Sequence, residues 1–212
     1  MPRADTASGT PAVTERLVYS GTARMLHWSV AALVLITAPI GFIMVDREDT
    51  KVADDVKAAF EATTGMMFSW HKLIGIVILV LMLVRLAYRL TNGAPRSDPT
   101  LTSLEKGLSH ATHWAMYLLL IAIPIGGYMG ISYGGYLDLF GLHLPGLVAN
   151  HEGDGHDKIA EQIFKIHGWG ATILLGLAGL HILAALYHRF VKGDAVLSRM
   201  MPGAGSSGGD TA

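Results

Sequence analysis

The chain has 212 residues, 51% of them hydrophobic and 16% charged, with a mean hydropathy of +0.40; soluble domains carry about 25% charged residues, so the composition points to a membrane. With no cysteine, a disulfide scaffold, thiolate-held zinc, iron–sulfur clusters and covalently attached c-type haem are excluded. The net charge of −1 carries no nucleic-acid signal.

Residues 1–15 read as a polar tail, and the first apolar block follows over about residues 25–45. A membrane helix needs about 20 mostly apolar residues. This block meets that length, and it is too long and too far from the start for a cleaved signal peptide, so it is expected to be retained. The second span, about 66–88, contains only a short charge-free core from Leu73 to Val84. It reaches full length by tolerating Lys72, whose stem can snorkel to the interface. The third and fourth spans are expected at about 110–131 and 166–188, and the Gly/Ser-rich stretch 203–212 as a disordered tail. Pro39 and Pro124 fall inside spans, which lipid tolerates because neighbouring groups satisfy the freed carbonyls. No internal repeat is evident. The expected fold is all-α, an integral membrane four-helix bundle occupying residues 16–202.

Lys and Arg set the orientation, since basic flanks stay in the cytoplasm. One side carries ten bases, including Arg24, Arg85, Arg89, Arg96, Lys106 and Arg189; the other carries six. Both termini are therefore expected in the cytoplasm of a bacterial inner-membrane protein. The outer loops hold eleven carboxylates against their six bases, a balance of −5, and the inner side sums to +4.

Ionisable groups inside spans are costly and point to function. His27 begins span one on the inner side, and His71 lies near the outer start of span two. Span four carries His167 near its outer end, His181 fourteen residues later and His188 at its inner end. Fourteen helical residues close to within about 40° of whole turns and rise about 21 Å, so His167 and His181 share a face at two depths. His71 then pairs with His167 and His27 with His181, giving two stacked bis-imidazole layers. Copper or zinc would be under-coordinated by two ligands, whereas haem supplies four nitrogens itself, so two non-covalent b-type haems are expected. His188, seven residues past His181, is the competing inner ligand. Gly75, Gly168, Gly170, Gly176 and Gly179 either make room for a flat macrocycle or allow close helix packing.

Several segments resemble the four-helix prokaryotic cytochrome b561 family: RMLHW at 24–28, WHKLIG at 70–75, RLAYRL at 85–90, IPIGGYMG at 123–130 and LHILAALYHRFVKGD at 180–194. The resemblance implies a di-haem electron carrier exchanging electrons with ubiquinone, with His27, His71, His167 and His181 as axial ligands. One branch of the family resembles a superoxide oxidase, which makes superoxide one expected outer substrate. A protein partner docking on the acidic outer loops is another. From a different class, related cytochromes serve as membrane-anchor subunits of hydrogenases or formate dehydrogenases. Against the family pattern, the segments 46–65 and 134–165 look like enlarged loops, and Gly168 stands where many relatives carry a carboxylate.

Other residues carry two readings each. Lys72, beside His71, either snorkels or pairs with a propionate or an anionic substrate. Arg85, Arg89 and Arg189 hold the inner side, with Arg85 and Arg89 also placed to meet a propionate. His110 and His113 read as interfacial polar residues or as partners for a quinone head group. His143, His151 and His156 fall in a Gly-rich acidic loop that reads as solvated. Trp28, Trp70, Trp114 and Trp169 fit a headgroup belt.

Overall fold

The structure, a computed structural model, describes residues 18–48, 50–148 and 155–202. The expected tails at 1–15 and 203–212 lie outside the described residues, as does His151. Four long helices dominate the chain: α1 (Gly21–Glu48), α2 (Asp54–Asn92), α3 (Ser103–Gly134) and α4 (His156–Tyr187). They run up, down, up and down. All four are long and apolar enough to cross a membrane, and large apolar side chains such as Leu35, Val80, Leu118 and Leu183 face outward. An outward apolar surface on every helix is what a bilayer requires.

Close packing joins α1 to α2, α2 to α3 and α3 to α4. At mid-depth Val30, Ile78, Met82, Tyr117, Leu120 and Leu174 form the buried core. Leu174 sits seven residues from both His167 and His181, so this core lies between the two histidine depths.

The segment 46–65, expected as a loop, is largely helical, because α2 already begins at Asp54. Asp54 and Asp55 occupy its first turn, where acids complement the helix dipole. Arg47 at the end of α1 braces the extension, donating to Thr64 Oγ1 at 3.1 Å and to the Phe60 carbonyl at 3.3 Å, with its guanidinium 3.8 Å from the Phe60 ring centre. At 39 residues, α2 is about 58 Å long against a hydrocarbon core of about 30 Å. Its first three turns therefore project beyond the bilayer.

Between α3 and α4 a short hairpin, β1 (Asp138–Leu139) and β2 (Leu142–His143), folds over the same end. Its turn places Phe140 at φ 53° and Gly141 at φ 83°, a geometry that favours Asn-Gly. Phe140 is held there by an edge contact with Trp70, ring centres 5.1 Å apart, and by its N–H donating to Ser69 Oγ at 3.3 Å. Lys72 Nζ donates to the carbonyls of Tyr136 and Asp138, tying the hairpin to α2.

At the opposite end, where the described chain starts and stops, Thr102 and Glu105 form a reciprocal capping box on α3. Glu105 also receives Lys192 Nζ at 2.7 Å. After a π-helical turn at His188–Lys192, the chain folds back so that Trp28 Nε1 donates to the Met200 carbonyl and Arg24 to that of Met201, at 2.9 and 3.0 Å.

Candidate haem-binding layers

Where α4 faces α1 and α2, the approach is made by imidazole rings. At the hairpin end, His71 of α2 and His167 of α4 have ring centres 6.0 Å apart, with planes at 69°. At the terminal end, His27 of α1 and His181 of α4 are 6.3 Å apart, with planes at 77°. Imidazole–metal bonds of about 2.0 Å, with about 1.1 Å from each ring centre to its nitrogen, put opposed ligand rings about 6.2 Å apart. Both pairs match that span, and the donor set is the neutral-nitrogen type that haem iron takes in a chain without thiolate. The residues present fit the group.

The hairpin-end rings are held from behind. His71 Nδ1 donates to the Thr37 carbonyl at 3.2 Å, with Thr37 Oγ1 at 3.3 Å, and His167 Nδ1 donates to the Ile123 carbonyl at 2.9 Å. Such bonds fix the tautomer that leaves Nε2 free to ligate. Each ring lies on a glycine of the same neighbouring helix. A Cβ on Gly41 would stand 2.9 Å from His71 Cε1, and one on Gly127 3.0 Å from His167 Cε1. Sequence reasoning missed both glycines. No clean sequence signal marks them: the recurrence Pro39-Ile40-Gly41 and Pro124-Ile125-Gly126 in spans one and three aligns Gly41 with Gly126, which faces open space, and not with Gly127. Of the glycines singled out from sequence, Gly75, Gly168, Gly176 and Gly179 face open space, while Gly170 packs on Ile123.

The terminal-end layer is built differently. The ring of His113 stands 5.2 Å from that of His181, about an ångström too close for opposed ligation, with its Nδ1 donating to the Ser109 carbonyl. Its neighbour His110 points elsewhere and accepts from Trp114 Nε1 at 2.9 Å. His27 Nδ1 is buried with no hydrogen-bond partner among the described residues. Unpaired buried polar atoms are rare and mark a place where something else is needed.

His188 does not face His27. Its Nδ1 is bonded to Asp194 Oδ2 at 2.5 Å, closing the π-helical turn. Arg85 lies with its guanidinium 5.4 Å from the Tyr117 ring centre and acts electrostatically on His27 and His181. With Arg89, Tyr19, Tyr88 and His113 it lines a small pocket open to the outside. Lys72 spends its charge on the hairpin carbonyls. His143 sits exposed in β2, and no cluster of metal-ligating side chains occurs among the described residues.

The sequence model of prokaryotic cytochrome b561 matches residues 18–203. The chain is 38% identical over 139 residues to a Yersinia pestis protein named probable superoxide oxidase CybB, covering 63% of this chain and 76% of that one. It is 31% identical over 135 residues to cytochrome b561 homolog 2 of Escherichia coli K12, covering 62% and 68%. With cytochrome b562 of Cereibacter sphaeroides it shares 29% over 189 residues, covering 89% and 98%.

Proposed function

Because the chain belongs to the prokaryotic cytochrome b561 family, membrane proteins that bind haem b and transfer electrons, we propose that it is a di-haem carrier linking ubiquinone to a redox partner outside the bacterial inner membrane. The observation that carries this reading is the pair of imidazole layers, with ring centres 6.0 and 6.3 Å apart at opposite ends of one bundle. His71 and His167 hold the outer haem at the hairpin end, and His27 and His181 hold the inner one. The terminal end lies in the cytoplasm, in line with the ten bases on that side.

Bound haem supplies one-electron chemistry, and this chain's residues do the rest. The histidines orient and hold the group. The core of Val30, Ile78, Met82, Tyr117, Leu120 and Leu174 keeps water and ions from the space between the layers. On the inner side, the donors of Arg85, Arg89, Tyr19 and Tyr88 line a pocket suited to the carbonyl oxygens of a quinone head group.

The outer surface favours a protein partner over capture of a small anion. Lys72 is engaged with carbonyls, Lys165 is paired to Glu161 at 2.6 Å, and Lys57 lies 4.0 Å from Glu61. With two of these bases paired to carboxylates, the Lys72 head group occupied by the hairpin and acids in excess, little field remains to steer an anion such as superoxide.

Pyridine haemochrome analysis tests the central point: two b haems per purified chain are expected. His71→Ala or His167→Ala should each leave one, the inner. One haem in the unsubstituted protein would contradict the two-site reading.

A further inference from the structure

We propose that Gly41 and Gly127 are positioning residues of the outer haem site, which seat the rings of His71 and His167 against carbonyls four residues earlier in their helices and so lower the potential of that haem. The inference rests on the reading that these two histidines are iron ligands. The geometry occurs twice, independently, in α1 and α3. In each helix the accepting carbonyl and the glycine stand four residues apart, Thr37 with Gly41 and Ile123 with Gly127. A helical side chain covers the turn N-terminal to its own Cα. Any residue with a Cβ at 41 or 127 would therefore screen the carbonyl that the ring now reaches, and the added carbon would stand 2.9 or 3.0 Å from the imidazole Cε1. The inner layer has no such seat: His27 Nδ1 is unpartnered among the described residues.

The physical consequence is electronic. An imidazole whose Nδ1–H donates to a carbonyl becomes a more basic ligand, and a more basic ligand favours ferric over ferrous iron. Two such bonds at the outer site and a nearby Arg85 charge at the inner one act in the same direction, leaving the outer haem the harder to reduce.

The test is a potentiometric titration of purified holoprotein, followed by electron paramagnetic resonance, with the outer haem identified as the signal that His167→Ala removes. Gly41→Ala and Gly127→Ala should each raise the outer midpoint and shift its low-spin signal, or empty that site alone, while the inner haem stays unchanged and reports an intact fold. Gly126→Ala, one residue away and facing open space, should change neither haem. Unchanged or lowered outer midpoints in both variants, the same shift from Gly126→Ala, or loss of both haems together would overturn the proposal by reducing the glycines to general packing. Fewer than two haems in the unsubstituted protein would instead refute the di-haem reading.

Discussion

The two histidine layers are alike in span and opposite in support. At the hairpin end, two rings each have a carbonyl behind them and a glycine beneath them, and the hairpin is strapped over that end by Lys72 and by the Phe140–Trp70 contact. At the terminal end, three rings crowd together, one buried nitrogen has no partner among the described residues, and a pocket lined by arginine and tyrosine opens beside them. One end is preorganised and covered. The other is polar and opens to the outside through that pocket.

The largest expected effect separates the three terminal-end rings. His27→Ala should empty the inner site, whereas His113→Ala should keep two haems per chain, because only the 6.3 Å pair has room for a metal between opposed nitrogens. His188→Ala should also keep both, since that ring serves Asp194. Haem content and low-spin absorbance check all three; retention of the inner haem in His27→Ala with its loss in His113→Ala would reverse the assignment.

A smaller effect probes the cover of the other end. Lys72→Gln removes a charged donor from two backbone carbonyls, each charge-assisted bond contributing about 1.5–3 kcal/mol. Amide hydrogen exchange over residues 134–147 should speed up while both haems stay in place. If loss of Lys72 leaves hairpin exchange unchanged but displaces the outer haem, its partner in the holoprotein is a propionate.

The spans and the four facing histidines were legible because hydropathy and a fourteen-residue period are properties of one helix at a time. The glycine seats were not, since finding them requires knowing which carbonyl on α1 or α3 meets a ring from α2 or α4. The Pro-Ile-Gly recurrence does not mark them either, since it aligns Gly41 with Gly126 and not with Gly127. His110 and His113 read alike in sequence, yet three helical residues turn about 300°, enough to send one toward Trp114 and the other toward His181. The projecting start of α2 read as a loop because its residues are polar, although its acidic first turn and alanines favour a helix.

The smallest expected effect concerns the short link at the terminal end, where a buried carboxylate is one of the braces. Asp98 is buried between α2 and α3 and accepts from the hydroxyl of Thr100 at 2.6 Å and from its backbone N–H at 3.0 Å. These bonds, the hydroxyl's first, hold its pKa below the usual carboxylate value. A folded-state pKa below the unfolded one means that the contribution to stability is fully present above about pH 4. It is lost as pH falls through the depressed folded value. Asp98→Asn should therefore cost about 1 kcal/mol near neutrality, read as a lower melting temperature in detergent. The difference from the unsubstituted protein should shrink on acidification below pH ~4. Because the link joins α2 to α3 at the terminal end, the inner haem should be released at lower temperature in this variant than in the unsubstituted protein. Equal destabilisation at all pH values would show that Asp98 acts through its shape rather than its charge.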